Sequence, residues 1–156
     1  IRVGYAVVPK ALAEPLARMQ RNTGQVVSAG VQHALADFIS EGHLRAHVRR
    51  MCALYEERQG MLADALKRHL GGIFRVERPA GGMQFIADLP RGSDDIALAD
   101  KLAEAGISAK AVSQFYLGRP ERRGFLMGFA GYTRPAMDRC VAEMARVLER
   151  QKAAAA

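Results

Sequence analysis

The stretch HLRAHVRRMCALYEERQGMLADALKRHLGG, residues 43–72, constrains the fold more than any other part of the chain. Its apolar residues Leu44, Val48, Met51, Tyr55, Leu62, Leu66 and Leu70 follow at steps of 4, 3, 4, 7, 4 and 4. That spacing keeps one stripe on one side of an α-helix. A helix of about 28 residues is about 42 Å long, more than the diameter of a compact domain of this size. The pattern therefore predicts a helix that runs between two bodies. Gly60 lies inside it at a cost of about 1 kcal/mol against Ala, marking a bend or a close contact. Gly71 and Gly72 end it.

The patterns on either side of this helix differ. Residues 1–42 open on IRVGYAVVP, a run that reads as a strand built for burial and is broken by Pro9. KALAEPLARMQRN then has Leu12, Leu16 and Met19 at helical spacing, with Pro15 inside, so it reads as two short helical turns or one kinked helix. Val27, Val31, Leu35 and Phe38 mark a further helix that Gly42 closes. Residues 73–152 alternate differently. IFRVER and MQFIADL read as short strands around PAGG. SDDIALADKLAEAG reads as a helix capped by Ser93 or Asp94. ISAKAV and FLMGFAGY read as strands, the second buried on both faces, with the loop SQFYLGRPERRG between them. A helix with Met137, Val141, Met144 and Leu148 on one face closes the unit, with Thr133 as its cap. The expected class is α/β, with a small α+β domain at the C-terminal side in which helices pack a short, mostly antiparallel sheet.

Apolar residues make up 49% of the 156, and charged residues 25%, which places the chain among globular proteins. No apolar run approaches the ~18–20 residues that cross a bilayer, so no membrane partner is expected. Cys52 and Cys140 lie far apart on predicted helices and form no CxxC. They read as buried or half-buried free thiols of a reducing cytoplasm. The net charge of +7 raises the question of nucleic acid. The arginines are scattered, however, and alternate with acids, as in YEERQGMLADALKRH, which is the pattern of a solvated helix face.

Few motifs carry chemistry by themselves. His43 and His47 stand at i and i+4, where two imidazoles can share zinc, but HExxH is absent and no third ligand is in place. No metal site is expected. GxSxG, GxGxxG and the P-loop are also absent. PAGGM reads as a tight turn or a close backbone approach. Arg2, beside an apolar run, calls for either a carboxylate or an anion such as phosphate. Ser113, Phe115 and Tyr116 follow a predicted strand end, where ligand-contacting loops are common.

The segments RVGYAVVP, ALADFISEGHLRAHVRRMCALYEERQGMLADAL, GGMQFIADLP, AGISAKAVSQFYLG and GFLMGFAGY, in this order and spacing, together resemble the C-terminal part of a fold type I aminotransferase-like domain. The resemblance is to the MocR-type regulators of the GntR superfamily. These join a winged-helix DNA-binding domain to an aminotransferase-like domain that senses pyridoxal phosphate or amino compounds. The resemblance implies a domain plan in which residues 1–42 are a remnant of the large cofactor domain, 43–72 the interdomain helix and 73–152 the small domain. It implies that Arg2, in Arg2-Val3-Gly4, holds the phosphate of pyridoxal 5'-phosphate in the full-length protein, with the Schiff-base lysine upstream of Ile1 and Ile1 to Val8 a strand of the large domain's sheet. No catalytic residue, bound cofactor or transamination is then expected of this chain alone.

The resemblance further implies that Ser113, Phe115 and Tyr116 form the substrate or effector loop. It implies a homodimer, and DNA contact only through a missing N-terminal domain. Leu126 stands where aminotransferases place the Arg that grips the substrate carboxylate, which favours a regulator. Ala111 stands in place of a frequent Pro, and Cys52 in place of a frequent Arg. Two alternatives remain at this stage: a metabolic aminotransferase, and a standalone interaction module.

Overall fold

The computed structural model describes residues 3–24 and 26–154, with side chains to residue 150. It contains five α-helices and a four-stranded sheet in the order α1 (Lys10–Asn22), α2 (Ala29–Ser40), α3 (His43–Leu70), β1 (Arg75–Val76), β2 (Gln84–Asp88), α4 (Asp95–Glu104), β3 (Lys110–Ala111), β4 (Gly124–Gly128) and α5 (Arg134–Ala154). The chain divides into two compact units, Ile1–Arg49 and Arg50–Ala156, and α3 contributes to both.

In the first unit α1 and α2 have no buried residue. Leu12, Leu16, Met19, Phe38 and Ile39 are all exposed. The expected opening strand is not formed. Ile1 and Arg2 lie outside the described residues; residues 3–9 join no strand among the described residues, and Tyr5 and Val7 are at least nine-tenths exposed. A strand needs a neighbour for its backbone N–H and C=O groups, and these residues have none among the described residues. Helix α1 runs without a break through Pro15. Pro15 is the sixth residue of α1, past the first-turn N–H groups that have no helical partner, so the helix continues with the bond to the Ala11 carbonyl missing.

The second unit holds the core. Its sheet order is β1-β2-β4-β3, with every neighbour antiparallel. Phe85, Ala87, Ala111, Phe125 and Phe129 project from one face. They meet Leu62, Ala65, Leu66 and Leu70 of α3, Ala99 and Leu102 of α4, and Met137, Val141, Met144, Ala145 and Leu148 of α5 in one cluster. The α5 stripe and the C-terminal part of the α3 stripe (Leu62, Leu66 and Leu70, with Tyr55 against them) thus mark the core, whereas Leu44 and Val48 are exposed; α3 passes Gly60 unbroken. A methyl group there would only touch the tip of Arg78 at 3.7 Å. Asp138 accepts from Arg68 at 2.5 Å and from His69 at 3.1 Å, tying the start of α5 to the end of α3.

Several expectations need correction. The edge strands shrink to two residues each, and SQF joins Val112 in a short 3-10 turn (Val112–Phe115) instead of a loop. Strand β4 is not buried on both faces: Leu126 is half-buried and Gly128 exposed on the face away from the helices, and Met127 is half-buried on the core face. Cys52 and Cys140 are both exposed free thiols.

Strand β4 enters the sheet at Gly124, which has φ of +155°. A Cβ there would lie 2.2 Å from the Ala87 carbonyl oxygen and 2.9 Å from Asp88 Cα. Both are backbone atoms of the neighbouring strand, so nothing can swing aside. Gly124→Ala is expected to lower stability by about 3 kcal/mol, read as a fall in the thermal midpoint. A midpoint within a degree of the parent would show that the strands do not need this approach.

Candidate functional site

The alternation of β2 and β4 leaves a second face. Pairs Gln84↔Gly128, Ile86↔Leu126 and Asp88↔Gly124 point away from the helices. Half-buried Leu126 and Ile86 floor an open groove of about 730 Å³, walled by Arg78, Pro79, Met83 and Arg122 among others. Helix α3 fixes one wall. Buried Gln59 donates through Nε2 to the Pro79 carbonyl at 3.0 Å, and Arg78 Nε donates to Gln59 Oε1 at 3.0 Å. Gln59 fills the one long step in the α3 stripe, between Tyr55 and Leu62. A polar residue at a core position was the signal that would have singled it out.

Arg122 closes the other wall by a two-pronged pair with Asp88, Nε to Oδ1 at 3.0 Å and Nη2 to Oδ2 at 2.8 Å. The Asp88 hydrogen bond is the leading reason why Arg122 is held more firmly charged than a free guanidinium. It outweighs desolvation, and Tyr116 and Glu77 add to it. Tyr116 therefore lies within electrostatic reach of this wall.

The segment bearing Ser113 and Tyr116 is anchored by Asp95. Asp94 caps α4, its carboxylate accepting from the Ala97 N–H at 3.1 Å. Asp95, the next residue, is fully buried. It accepts from the Ser113 N–H and the Gly124 N–H, each at 3.0 Å, from the Ser113 hydroxyl in a short bond, and from Arg123 at 3.4 Å. Burial acts most strongly on Asp95 and would raise its pKa. The hydrogen bonds from the Ser113 hydroxyl, Gly124 and Ser113 backbone together outweigh it and hold the carboxyl below its usual value. Because the folded pKa is depressed, this stabilisation is complete above the ordinary Asp range and is lost as pH falls from there through the lower folded value. Sequence reasoning passed over Asp95. The signal was a second acid beside a cap that needs only one.

Of the expected site residues, Arg2 lies outside the described residues. Ser113 is buried, with its hydroxyl and N–H both given to Asp95, so it holds the segment from within. Phe115 is 63% exposed and Tyr116 is half-buried. The structure thus brings Ser113 and Tyr116 together around Asp95 and Arg122. His43 pairs with Glu41 at 3.1 Å and lies against the Phe38 ring. Among the described residues no group of three or more His, Cys, Asp or Glu side chains is placed to hold a metal ion. Among the described residues Lys10, Lys67, Lys101 and Lys110 are exposed, and every buried side-chain polar atom has a hydrogen-bond partner.

Asp95 and Asp88 offer a direct comparison. Asp95→Ala strands two buried N–H groups and a guanidinium, so a loss of about 3 kcal/mol or more is expected. Asp88→Ala breaks a partly solvated pair and is expected to cost about 1 kcal/mol or less. Urea unfolding at neutral pH checks both; equal losses would refute the ranking.

The sequence model of the family described as aminotransferase class I and II matches residues 1–143. Among curated proteins, the chain is 37% identical over 131 residues to the probable rhizopine catabolism regulatory protein MocR of Rhizobium meliloti, covering 84% of this chain and 27% of that protein. It is 28% identical over 145 residues to the HTH-type pyridoxine biosynthesis transcriptional regulator PdxR of Corynebacterium glutamicum, covering 92% of this chain and 31% of that one. The chain thus spans less than a third of the length of these relatives. Among solved structures, a Thermus thermophilus aspartate aminotransferase mutant superposes with a TM-score of 0.74 at 22% identity, covering 89% of this chain and 37% of that one. That likeness shows the fold, a small antiparallel sheet packed by helices as in aminotransferases. The matched region takes in the long helix, the sheet and the Asp95 anchor alike, and on that ground the chain belongs to the aminotransferase class I and II family.

Proposed function

We propose that this chain is the C-terminal part of a MocR/GntR-type transcriptional regulator, whose aminotransferase-like domain senses pyridoxal phosphate or an amino compound. The observation that carries this reading is the 37% identity to a regulator over most of the chain. The outer sheet face supports it. Gripping a carboxylate takes a free, forked guanidinium. Leu126 offers none, and Arg122 is already paired at both prongs with Asp88.

In this reading residues 1–42 belong to the large cofactor domain, 43–72 form the interdomain helix and 73–152 the small domain. Arg2 takes the cofactor phosphate, and a lysine outside this chain holds pyridoxal 5'-phosphate, the group that supplies aldehyde chemistry when bound. Phe115 and Tyr116 face the effector, with Ser113 as their anchor. The whole protein is a cytoplasmic homodimer that meets DNA through a separate N-terminal domain. No helix among the described residues is long and apolar enough to cross a membrane. Effector binding shifts DNA affinity only by its different affinity for the two states of the dimer.

A second reading, a metabolic aminotransferase, draws on the matched family and on the aminotransferase fold. The full-length protein separates the two. Its affinity for DNA upstream of its own gene is measured with and without pyridoxal phosphate and amino compounds, alongside turnover of several amino donors. The regulator reading expects an effector-dependent change in DNA affinity and turnover far below the ~1–10³ s⁻¹ of ordinary enzymes. Turnover within that range without DNA binding would overturn it.

A further inference from the structure

One cleft of the second unit plays no part in that reading. It is a cavity of about 930 Å³ between the end of α3, β1, the turn after β2 and the segment leading into β4. Five arginines line it, Arg75, Arg91, Arg119, Arg122 and Arg123, against three carboxylates, Glu77, Asp88 and Glu121. The pairing within this set is uneven. Arg122 occupies both oxygens of Asp88, and Arg123 is turned to Asp95. Arg75 sits directly opposite Asp88 across the β1–β2 pair, where a cross-strand ion pair would ordinarily form. The Arg122 fork takes both Asp88 oxygens instead, and among the described residues Arg75 has no ion-pair partner.

Arg91 is held out by a tight turn. Ser93 N–H closes on the Pro90 carbonyl at 3.2 Å, and Gly92 at φ +88° supplies the left-handed corner. Arg119 is exposed on the third wall. Arg75, Arg91 and Arg119 thus present three guanidiniums from three separate segments. None has a hydrogen-bonded or ionic partner among the described residues.

We propose that this cleft binds a small anion carrying two or more phosphate groups, as in pyrophosphate or a nucleoside polyphosphate. Guanidiniums match phosphate oxygens in planar, two-pronged bonds, and three of them on different walls call for several anionic oxygens. The volume lies within the range of small-ligand pockets. The charges line a concavity and do not stand on a ridge, which suits a compact anion better than a nucleic-acid duplex. Asp88 acts as the arbiter. By satisfying Arg122 it fixes that wall and releases Arg75 to the ligand.

Calorimetric titration of pyrophosphate into the full chain at low salt tests this, with inorganic phosphate and a random DNA duplex as parallel titrants. The expected result is saturable binding of pyrophosphate, weaker for phosphate. Arg75→Ala combined with Arg91→Ala should weaken it at least about tenfold, and Arg119→Ala separately should weaken it too. The pair Arg146→Ala and Arg150→Ala on α5 should leave it unchanged, and exposed substitutions of this kind should leave the thermal midpoint near the parent value. Three results would overturn the proposal: no saturable pyrophosphate binding, equal loss in the α5 control, or duplex binding that depends on these arginines while pyrophosphate binding does not.

Discussion

One buried carboxylate organises the second unit. Asp95 stands at the first turn of α4 and receives N–H groups from two segments far away in sequence, at Ser113 and Gly124. Isolated, a buried carboxylate is costly. Here the surrounding donors make its charged form the preferred one, and the cost turns into a positional constraint. Gly124 is bound to Asp95 through its N–H while the backbone of β2 occupies the place a side chain on it would need. The same residue thus fixes both the depth of β4 in the sheet and the place of the segment that carries Tyr116.

The outer face follows from that arrangement. With β4 set against β2, Leu126 comes to lie across from Ile86 and the Arg122–Asp88 fork closes beside it. Gln59 performs a similar service on the opposite wall, joining α3 to the turn after β1. The groove is therefore built from three polar anchors around an apolar floor. Of the charged groups around it, Arg122 is paired with Asp88, while Arg78 gives its Nε to the Gln59 amide.

The sequence disclosed what depends on periodicity. The stripes Leu62, Leu66, Leu70 and Met137, Val141, Met144, Leu148 are core residues, because side-chain spacing sets which face of a helix is apolar and these faces meet the sheet. Asp94 was readable as a cap for the same local reason. Features that depend on distant partners were not readable. Asp95 and Gln59 are polar residues whose roles come from Ser113, Gly124 and Pro79, and no local pattern names those partners. The opening segment shows the converse. Tyr5 and Val7 have strand composition, but a strand exists only with a neighbour, and within this chain they stay exposed. Ser113 was singled out as a ligand contact; its burial and its bonds to Asp95 give it an anchoring part.

The central claim is that Asp95 is buried and yet ionised, held so by its donors. Carbon-detected NMR titration of the Asp95 carboxyl measures this directly. The account predicts a carboxylate signal that persists below the ordinary Asp midpoint of 3.8 and changes only as the protein unfolds in acid. A midpoint at or above that value in the folded chain would contradict it.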